Sequence, residues 1–481
     1  MEGAARARRA ASPAATPTRL LIAVALALAG PAVCRAETLD AALARAYYGN
    51  PDLNQSRANV RARDEDAPKA LAGMRPKANI TANAGPTYGA LRIPFGSGER
   101  SGAAANFSEN YLGTPRGAQF NMSQTVFDGG ATENSLRRAE SGVFAARASM
   151  RLTEQAILQN GATAYMNVLR ETAIVNLRRN NIAVLEQQLK LTEDRFNVGE
   201  VTRTDIAQAQ SSLAQARTEL YAAQAQLKNS IAAYRQIIGI EPTHLEPARS
   251  VENMLPRSLA EAIEIALHEH PGVQMSIHQV DAAELAVKVA EAALSPSLSL
   301  NAQVSNQYDS FQGLPGSRAF IAAASGQLNI PLYQGGSEYA SIRQAKEQLG
   351  QARLNADLQR DGVRANVVSA FGQMDTARAS IISSQAAVRA AETALAGTRA
   401  EAKVGQRTTL DVLNAQQVLL NARVALVTAQ RDRVVASYAA LGAIGRLSAR
   451  ALDLNVAVYD PQTHFEQVKT KWIGVDAPDG R

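Results

Sequence analysis

The chain reads VFDGGATENSLRRAE from Val126 to Glu140 and LYQGGSEYASIRQAKE from Leu332 to Glu347. In each stretch an aromatic residue (Phe127, Tyr333), one polar residue and two glycines precede a polar, helix-forming run. The two copies stand 206 residues apart (333 − 127). Alternating apolar and polar residues lead into Gly129 and Gly130, and again into Gly335 and Gly336; a long proline-free run follows each pair. This pattern predicts a strand that becomes a helix, with glycine supplying backbone angles that other residues resist.

The duplication extends along the chain. TLDAALARAYYGNPDL from Thr38 matches SLAEAIEIALHEHPGV from Ser258 at an offset of 220, aligning Pro51 with Pro271 and Pro76 with Pro296. Farther on the offset is 206, aligning Gly199 with Gly405 and Asp205 with Asp411, so the first copy holds 14 extra residues (220 − 206) between Pro76 and Phe127. The reading is two structural repeats, 37–257 and 258–445, after a signal peptide (1–36) and before a C-terminal segment (446–481).

No proline occurs from Arg116 to Glu241 or from Leu332 to Asp460, which permits very long helices. Ile206, Leu213, Leu220 and Leu227 recur every seven residues, with Ala209, Ala216 and Ala223 between them. Val412, Leu419 and Leu426 repeat the pattern with Ala415, Ala422 and Ala429. Such heptads with alanine on alternate layers predict closely packed helical hairpins. A helix from about Ala131 to Asn197 would be ~100 Å long at ~1.5 Å per residue. The hairpins turn near 198–205 and 404–411.

Before each double glycine the period is two. Leu298, Leu300, Ala302 and Val304 oppose Ser299, Asn301, Gln303 and Ser305; Phe320, Ala322, Ala324, Leu328 and Ile330 oppose Ser325, Gln327 and Asn329. Strands are expected at about 77–88 and 118–127, and at about 297–308 and 319–332. Their length, and a polar face of Ser, Asn and Gln almost without charge, suit membrane strands lining a watery lumen. Four strands cannot close a barrel, for which about eight are the practical minimum. Two copies would supply eight and three copies twelve. The Gly-, Ser- and Pro-rich stretches between paired strands, GALRIPFGSGERSGAAANFSENYLGTPRG and DSFQGLPGS, are expected to be exposed turns.

Composition agrees. Aromatic residues are 5 % of the chain, and alanine supplies much of the 46 % hydrophobic content. The N-terminal segment has a basic region, the apolar LLIAVALALAG (Leu20 to Gly30) and CRA before Glu37, predicting export and cleavage after Ala36. Lipidation at Cys34 is the rival, in a poor context because Val33 precedes it. Residues 1–36 hold five arginines and one acid, so the mature chain carries about +2 rather than +6 and gives no support to a nucleic-acid partner. The single cysteine leaves with them. His268 and His270 fall on different helix sides, and His244, His278 and His464 have no ligands at useful spacing, so neither a metal nor a cofactor site is expected.

The order of these features resembles the TolC family of outer-membrane channel proteins. The resemblance runs from Glu37 to about Lys471. It rests on the NP (Asn50-Pro51) and HP (His270-Pro271) turns, the aromatic-x-Gly-Gly junctions, RFNVGEVTRTDIAQAQ, AKVGQRTTLDVLNAQ, and the closing VAVYDPQTHFEQVKTKW. It implies a non-enzymatic homotrimer in which three chains share one 12-stranded outer-membrane barrel above an α-helical periplasmic tunnel. An equatorial region would be drawn from 240–257 and 446–481. Outer-membrane lipid, a periplasmic adaptor (membrane fusion) protein and an inner-membrane transporter, ABC-type or proton-driven, are the implied partners. The adaptor would dock at the helical tips around Val198, Gly199, Val404 and Gly405. Asp205 and Arg407 match positions that hold relatives closed, and Asp411 matches an acidic constriction position. Ala402 replaces the gate tyrosine of some relatives and Asn414 a second constriction aspartate, implying a weaker ring of charge. The competing reading, an exported structural or adhesive coiled-coil protein, accounts for the heptads but not for the paired amphipathic strands.

Overall fold

A computed structural model describes residues 37–94, 106–309 and 316–478. The expected signal peptide, with Cys34, lies outside the described residues, as do parts of both hairpin loops. Each repeat begins with a broken helical segment. In the first, helices α1 (Leu39–Gly49), α2 (Pro51–Asp64) and α3 (Asp66–Leu71) precede strands β1 (Lys77–Ala84), β2 (Thr87–Pro94), β3 (Asn106–Gly113) and β4 (Arg116–Phe127). Helices α4 (Ala131–Asn197) and α5 (Arg203–Ile238) complete it. The second holds α6 (Leu259–Glu269), α7 (Pro271–Ala292), β5 (Ser297–Tyr308), β6 (Arg318–Asn329), α8 (Ser337–Lys403) and α9 (Thr409–Ala443). Helix α10 (Pro461–Val468) lies in the C-terminal segment.

The NP and HP turns are one device used twice. The Asp52 amide donates to Asn50 Oδ1 at 2.9 Å, and the Gly272 amide donates to His270 Nδ1 at 3.1 Å. Each side chain caps a helix that begins on proline, where a missing N–H costs nothing.

Strands β1, β4, β5 and β6 form one antiparallel sheet in that order, so β4 and β5 join the two repeats. The first loop departs from the expected turn, because β2 and β3 form a further ribbon within it. Ala84 opposite Arg116 and Thr87 opposite Gly113 keep a single register, so the β1–β4 hairpin simply continues. Pro86 and Pro115 lack N–H donors and break the ladder between the two parts. Strand β1 therefore stops at Ala84, short of 88, and β6 at Asn329, short of 332, with Pro331 just beyond it.

Helices α4 and α8 each span 67 residues. Helix α4 packs against both α5 and α9, and α8 against α9, which leaves α5 and α8 at the two sides of the chain. The heptad residues Ala209, Leu213, Ala216, Val412, Leu419 and Ala429 are buried. The largest core sits midway along the helices, where α4 meets α1, α5 and α9 around fully buried Leu43, Leu158, Tyr165, Tyr234, Leu441 and Ile444. Gly161 is needed there: a Cβ would lie 2.9 Å from Leu43 Cδ2. Gly372, the glycine midway along α8, faces open space in the single chain.

Segments 240–257 and 446–478 wrap this core. Tyr165 Oη bonds the carbonyls of Glu37 (2.6 Å) and Glu246 (2.7 Å), and the Val251 amide donates to Ser437 Oγ at 3.1 Å. Leu447, Ala449 and Leu454 close the same cluster from the C-terminal side.

Candidate functional site

The sheet is two-faced in every row. Lys77, Ser123, Asn301 and Ser325 stand side by side across the four strands; then Asn79, Asn121, Gln303 and Ala323; then Thr81, Gln119, Ser305 and Ile321. The rows between them read Ala78, Met122, Ala302, Ala324 and Ile80, Phe120, Val304, Ala322. One face is thus largely polar and the other apolar. Phe120, Val304, Phe320 and Leu328 are exposed on the apolar face. A bulge between Thr125 and Phe127 sets Phe127 opposite Leu298 and so turns it onto that apolar face. Both outer strands, β1 and β6, keep one unpaired edge in the single chain. In lipid such edges are untenable, since nothing there replaces the missing backbone partners.

At the junctions the backbone is left-handed: φ is +64° at Gly129, +86° at Gly130, +76° at Gly335 and +86° at Gly336. Asp128 braces the first junction by accepting from the Gly130 amide (3.2 Å) and the Thr132 amide (2.8 Å). Gln334 holds that place in the second.

The two tips are nearly identical. The Gly199 amide donates to the Phe196 carbonyl and the Glu200 amide to the Arg195 carbonyl, both at 2.9 Å; Gly405 and Gln406 do the same with Ala402 and Glu401 at 3.3 and 3.0 Å. With φ at +82° and +79°, each glycine ends its helix by a Schellman closure. Val198 and Val404 project from the tips, 72 % and 71 % exposed. Asp205 Oδ2 accepts from the Thr202 amide (2.9 Å) and hydroxyl (2.8 Å); Asp411 Oδ2 accepts from the Thr408 amide and hydroxyl, both at 2.9 Å. These bonds hold both carboxyls below the usual aspartate value. Arg407 Nε donates to Glu401 Oε2 at 2.8 Å on its own hairpin. The structure thus brings Arg407, Glu401 and Asp411 together, and each aspartate caps the helix it begins. No ion pair joins Asp205 to Arg407 among the described residues. Asn414 is exposed one turn beyond Asp411.

Strands with one apolar and one polar face, a glycine junction and a long helical hairpin thus follow one another in each half of the chain. The sequence profile of the outer membrane efflux protein family matches residues 42–240 and 262–446. This chain belongs to that family. Among the family's proteins it is 41 % identical, over 96 % of its length and 98 % of the relative's, to the outer membrane efflux protein BepC of Brucella suis. It is 26 % identical to the outer membrane protein TolC of Escherichia coli, over 92 % and 89 % of the two chains. Its fold superimposes on the CmeC outer membrane channel of Campylobacter jejuni with a TM-score of 0.73, covering 90 % of this chain and 89 % of that one, at 17 % identity. The efflux protein is an outer-membrane exit duct that extends into the periplasm, and the adhesive coiled-coil reading finds no support.

Several positioning residues escaped the sequence reading. Arg378 and Arg433 both hold Glu252 of the 240–257 linker, Arg433 Nε at 2.6 Å and Arg378 Nε at 3.1 Å. Arg433 first, then Arg378, keeps that carboxyl below the usual glutamate value. His464, considered in the sequence only as a metal ligand, meets buried Asp64 at 2.8 Å and ties α10 to α2. Burial pushes the Asp64 carboxyl up, against the His464 bond and the Arg147 charge. Arg217–Glu186 and Arg423–Glu392 are ion pairs at 2.9 and 2.8 Å, related by the 206-residue offset. That offset was the signal that would have found them.

Proposed function

We propose that three copies of this chain assemble into a passive duct that efflux partners open from the periplasmic side. The observation that carries this is the four-stranded, two-faced sheet with both edges unpaired. Edge-to-edge addition of copies satisfies those edges, and three copies place twelve strands over a ring of helical hairpins. Adaptor docking falls to the tips, where Val198 and Val404 are exposed beside Gly199 and Gly405. Apolar side chains presented on rigid, capped turns are suited to an adaptor's own helical hairpins.

In the resting state Asp205, Arg407, Asp411 and Asn414 form the constriction. The ion pair of Arg407 with Glu401 keeps the second tip compact, and Asp411 gives a ring of one acid per chain that favours cations. Small-molecule efflux is the favoured cargo class, in keeping with the name of the Brucella relative. The test is deletion of the gene with complementation, scored for detergent and antibiotic sensitivity and for secreted proteins. Increased sensitivity of the deletion strain, with resistance restored by the wild-type gene, is expected. A loss of secreted protein with unchanged sensitivity would overturn the cargo assignment.

A further inference from the structure

The apolar face of the sheet ends in a charged row. Arg116 lies opposite Tyr308, and Tyr308 opposite Arg318, on three adjacent strands. All three share the face that carries Phe120, Val304 and Phe320, which the barrel turns toward lipid. The Arg116 guanidinium carbon lies 5.6 Å from the Tyr308 ring centroid and that of Arg318 5.3 Å. One ring therefore holds two cations, and their carbons are no more than about 11 Å apart by those distances together. Both arginines are exposed, and neither forms an ion pair among the described residues.

The level of this row follows from strand geometry. At the periplasmic end the same face begins with Phe127, Leu298 and Leu328, which lie in register. Ten residues of β5 separate Leu298 from Tyr308. That is ~34 Å along the strand at ~3.4 Å per residue. Tilted by ~40°, the strand climbs ~26 Å, close to the apolar band of an outer-membrane barrel at ~25 Å. The arginines thus stand where hydrocarbon gives way to headgroups. Guanidinium groups there need an anion, and their forked donors match phosphate oxygens.

We propose that Arg116, Tyr308 and Arg318 form a binding site for the phosphate of an anionic outer-leaflet lipid. The occupant is a lipid headgroup rather than dissolved phosphate because the site faces outward at the end of an apolar wall, where a lipid's chains are buried alongside its charge. Tyr308 orients both cations, and the repeat junction between β4 and β5 places them together. The proposal rests on the reading of the sheet as a barrel wall.

The test uses the full-length protein in nanodiscs containing lipid A, a diphosphorylated glycolipid, with bound lipid counted by native mass spectrometry. Arg116→Gln with Arg318→Gln should lower lipid A retention about five-fold or more, and Arg116→Lys with Arg318→Lys should keep most of it. Enzymatically dephosphorylated lipid A should bind wild type no better than the glutamine pair does. Equal retention by wild type and the glutamine pair overturns the proposal, as does equal binding of the dephosphorylated lipid. Displacement of lipid A by inorganic phosphate would make this a soluble-anion site and also overturns it. The single variant Arg318→Gln, expected to lose about half the lipid, carries the same test if the double variant assembles poorly. Conductance of the same preparations separates the two ideas: a wild-type protein that conducts nothing refutes the barrel reading, whereas conducting protein with indifferent lipid binding refutes only the site.

Discussion

Replacing Gly129 by alanine should cost more than the same change at Gly335, although the sequence writes the two junctions alike. Both glycines have positive φ, +64° and +76°, and a left-handed alanine costs ~1–2 kcal/mol at either. Space separates them. A Cβ on Gly129 would sit 2.3 Å from Ser295 Cβ and 3.2 Å from the Ala292 carbonyl oxygen, whereas one on Gly335 meets nothing within 4 Å. Carbon atoms pack at ~3.5–4.0 Å, so the overlap exceeds ~1 Å. Ser295 cannot easily retreat, because its amide closes the end of α7 on the Ala292 carbonyl at 3.0 Å. Overpacking of this kind adds ~1–3 kcal/mol, bringing Gly129→Ala to ~2–5 against ~1–2 for Gly335→Ala. The assay is the temperature at which the assembled protein dissociates in detergent, read by gel mobility. Adding Ser295→Gly to Gly129→Ala should bring the midpoint back toward that of Gly335→Ala. Equal midpoints for the two alanine variants, or simple additivity in the double variant, would refute the steric reasoning.

Three further outcomes follow from the tips and the 240–257 linker. The folded state holds Glu252 below its ordinary value of 4.5, so its stabilisation is present above that value and lost as pH falls through the folded pKa. Hydrogen exchange in 240–257 should accelerate in that acid range for wild type, whereas Glu252→Gln should already exchange fast at neutral pH, having lost charge-assisted bonds worth ~1.5–3 kcal/mol; identical pH profiles would rule the clamp out. Thr202→Ala and Thr408→Ala should each loosen their tip by ~1 kcal/mol, read as faster exchange in the first turns of α5 and α9, and a clearly unequal effect would contradict the matched capping boxes. Arg407→Ala should raise the resting current in planar bilayers, and an unchanged current would remove Arg407 from the constriction.

What could be read from the sequence was what repeats or alternates locally. Heptads marked α5 and α9, and the glycine pairs marked the four positive-φ positions of the strand–helix junctions. Period two marked β5 and β6, whose apolar and polar faces fall as expected. Strands β2 and β3 were hidden because Gly, Pro and Ser break the alternation, and because their pairing is inherited from the register of β1 with β4. The contacts made by the 240–257 and C-terminal segments were invisible for another reason. Glu252 lies 181 residues from Arg433, and Asp64 lies 400 from His464; neither pair is linked by a local pattern. At the tips, Asp205 and Asp411 were placed as constriction residues through the family resemblance. The structure adds that each carboxylate is already engaged by the threonine three residues before it.

Helices α4 and α8, at 67 residues each, also set a rule for how this molecule can vary. One heptad spliced into both arms of a single hairpin would preserve every local layer, yet carry that tip ~10 Å past its neighbour at ~1.5 Å per residue. In the proposed assembly the open end would then be castellated, with alternate merlons too long for a flat-faced collar to seat on. The two halves must therefore lengthen or shorten in step, and the side chains that cross between them record the agreement: Gln416 Nε2 on α9 donates to Asn181 Oδ1 on α4 at 3.3 Å, and Leu413 packs with Leu185 and Leu213.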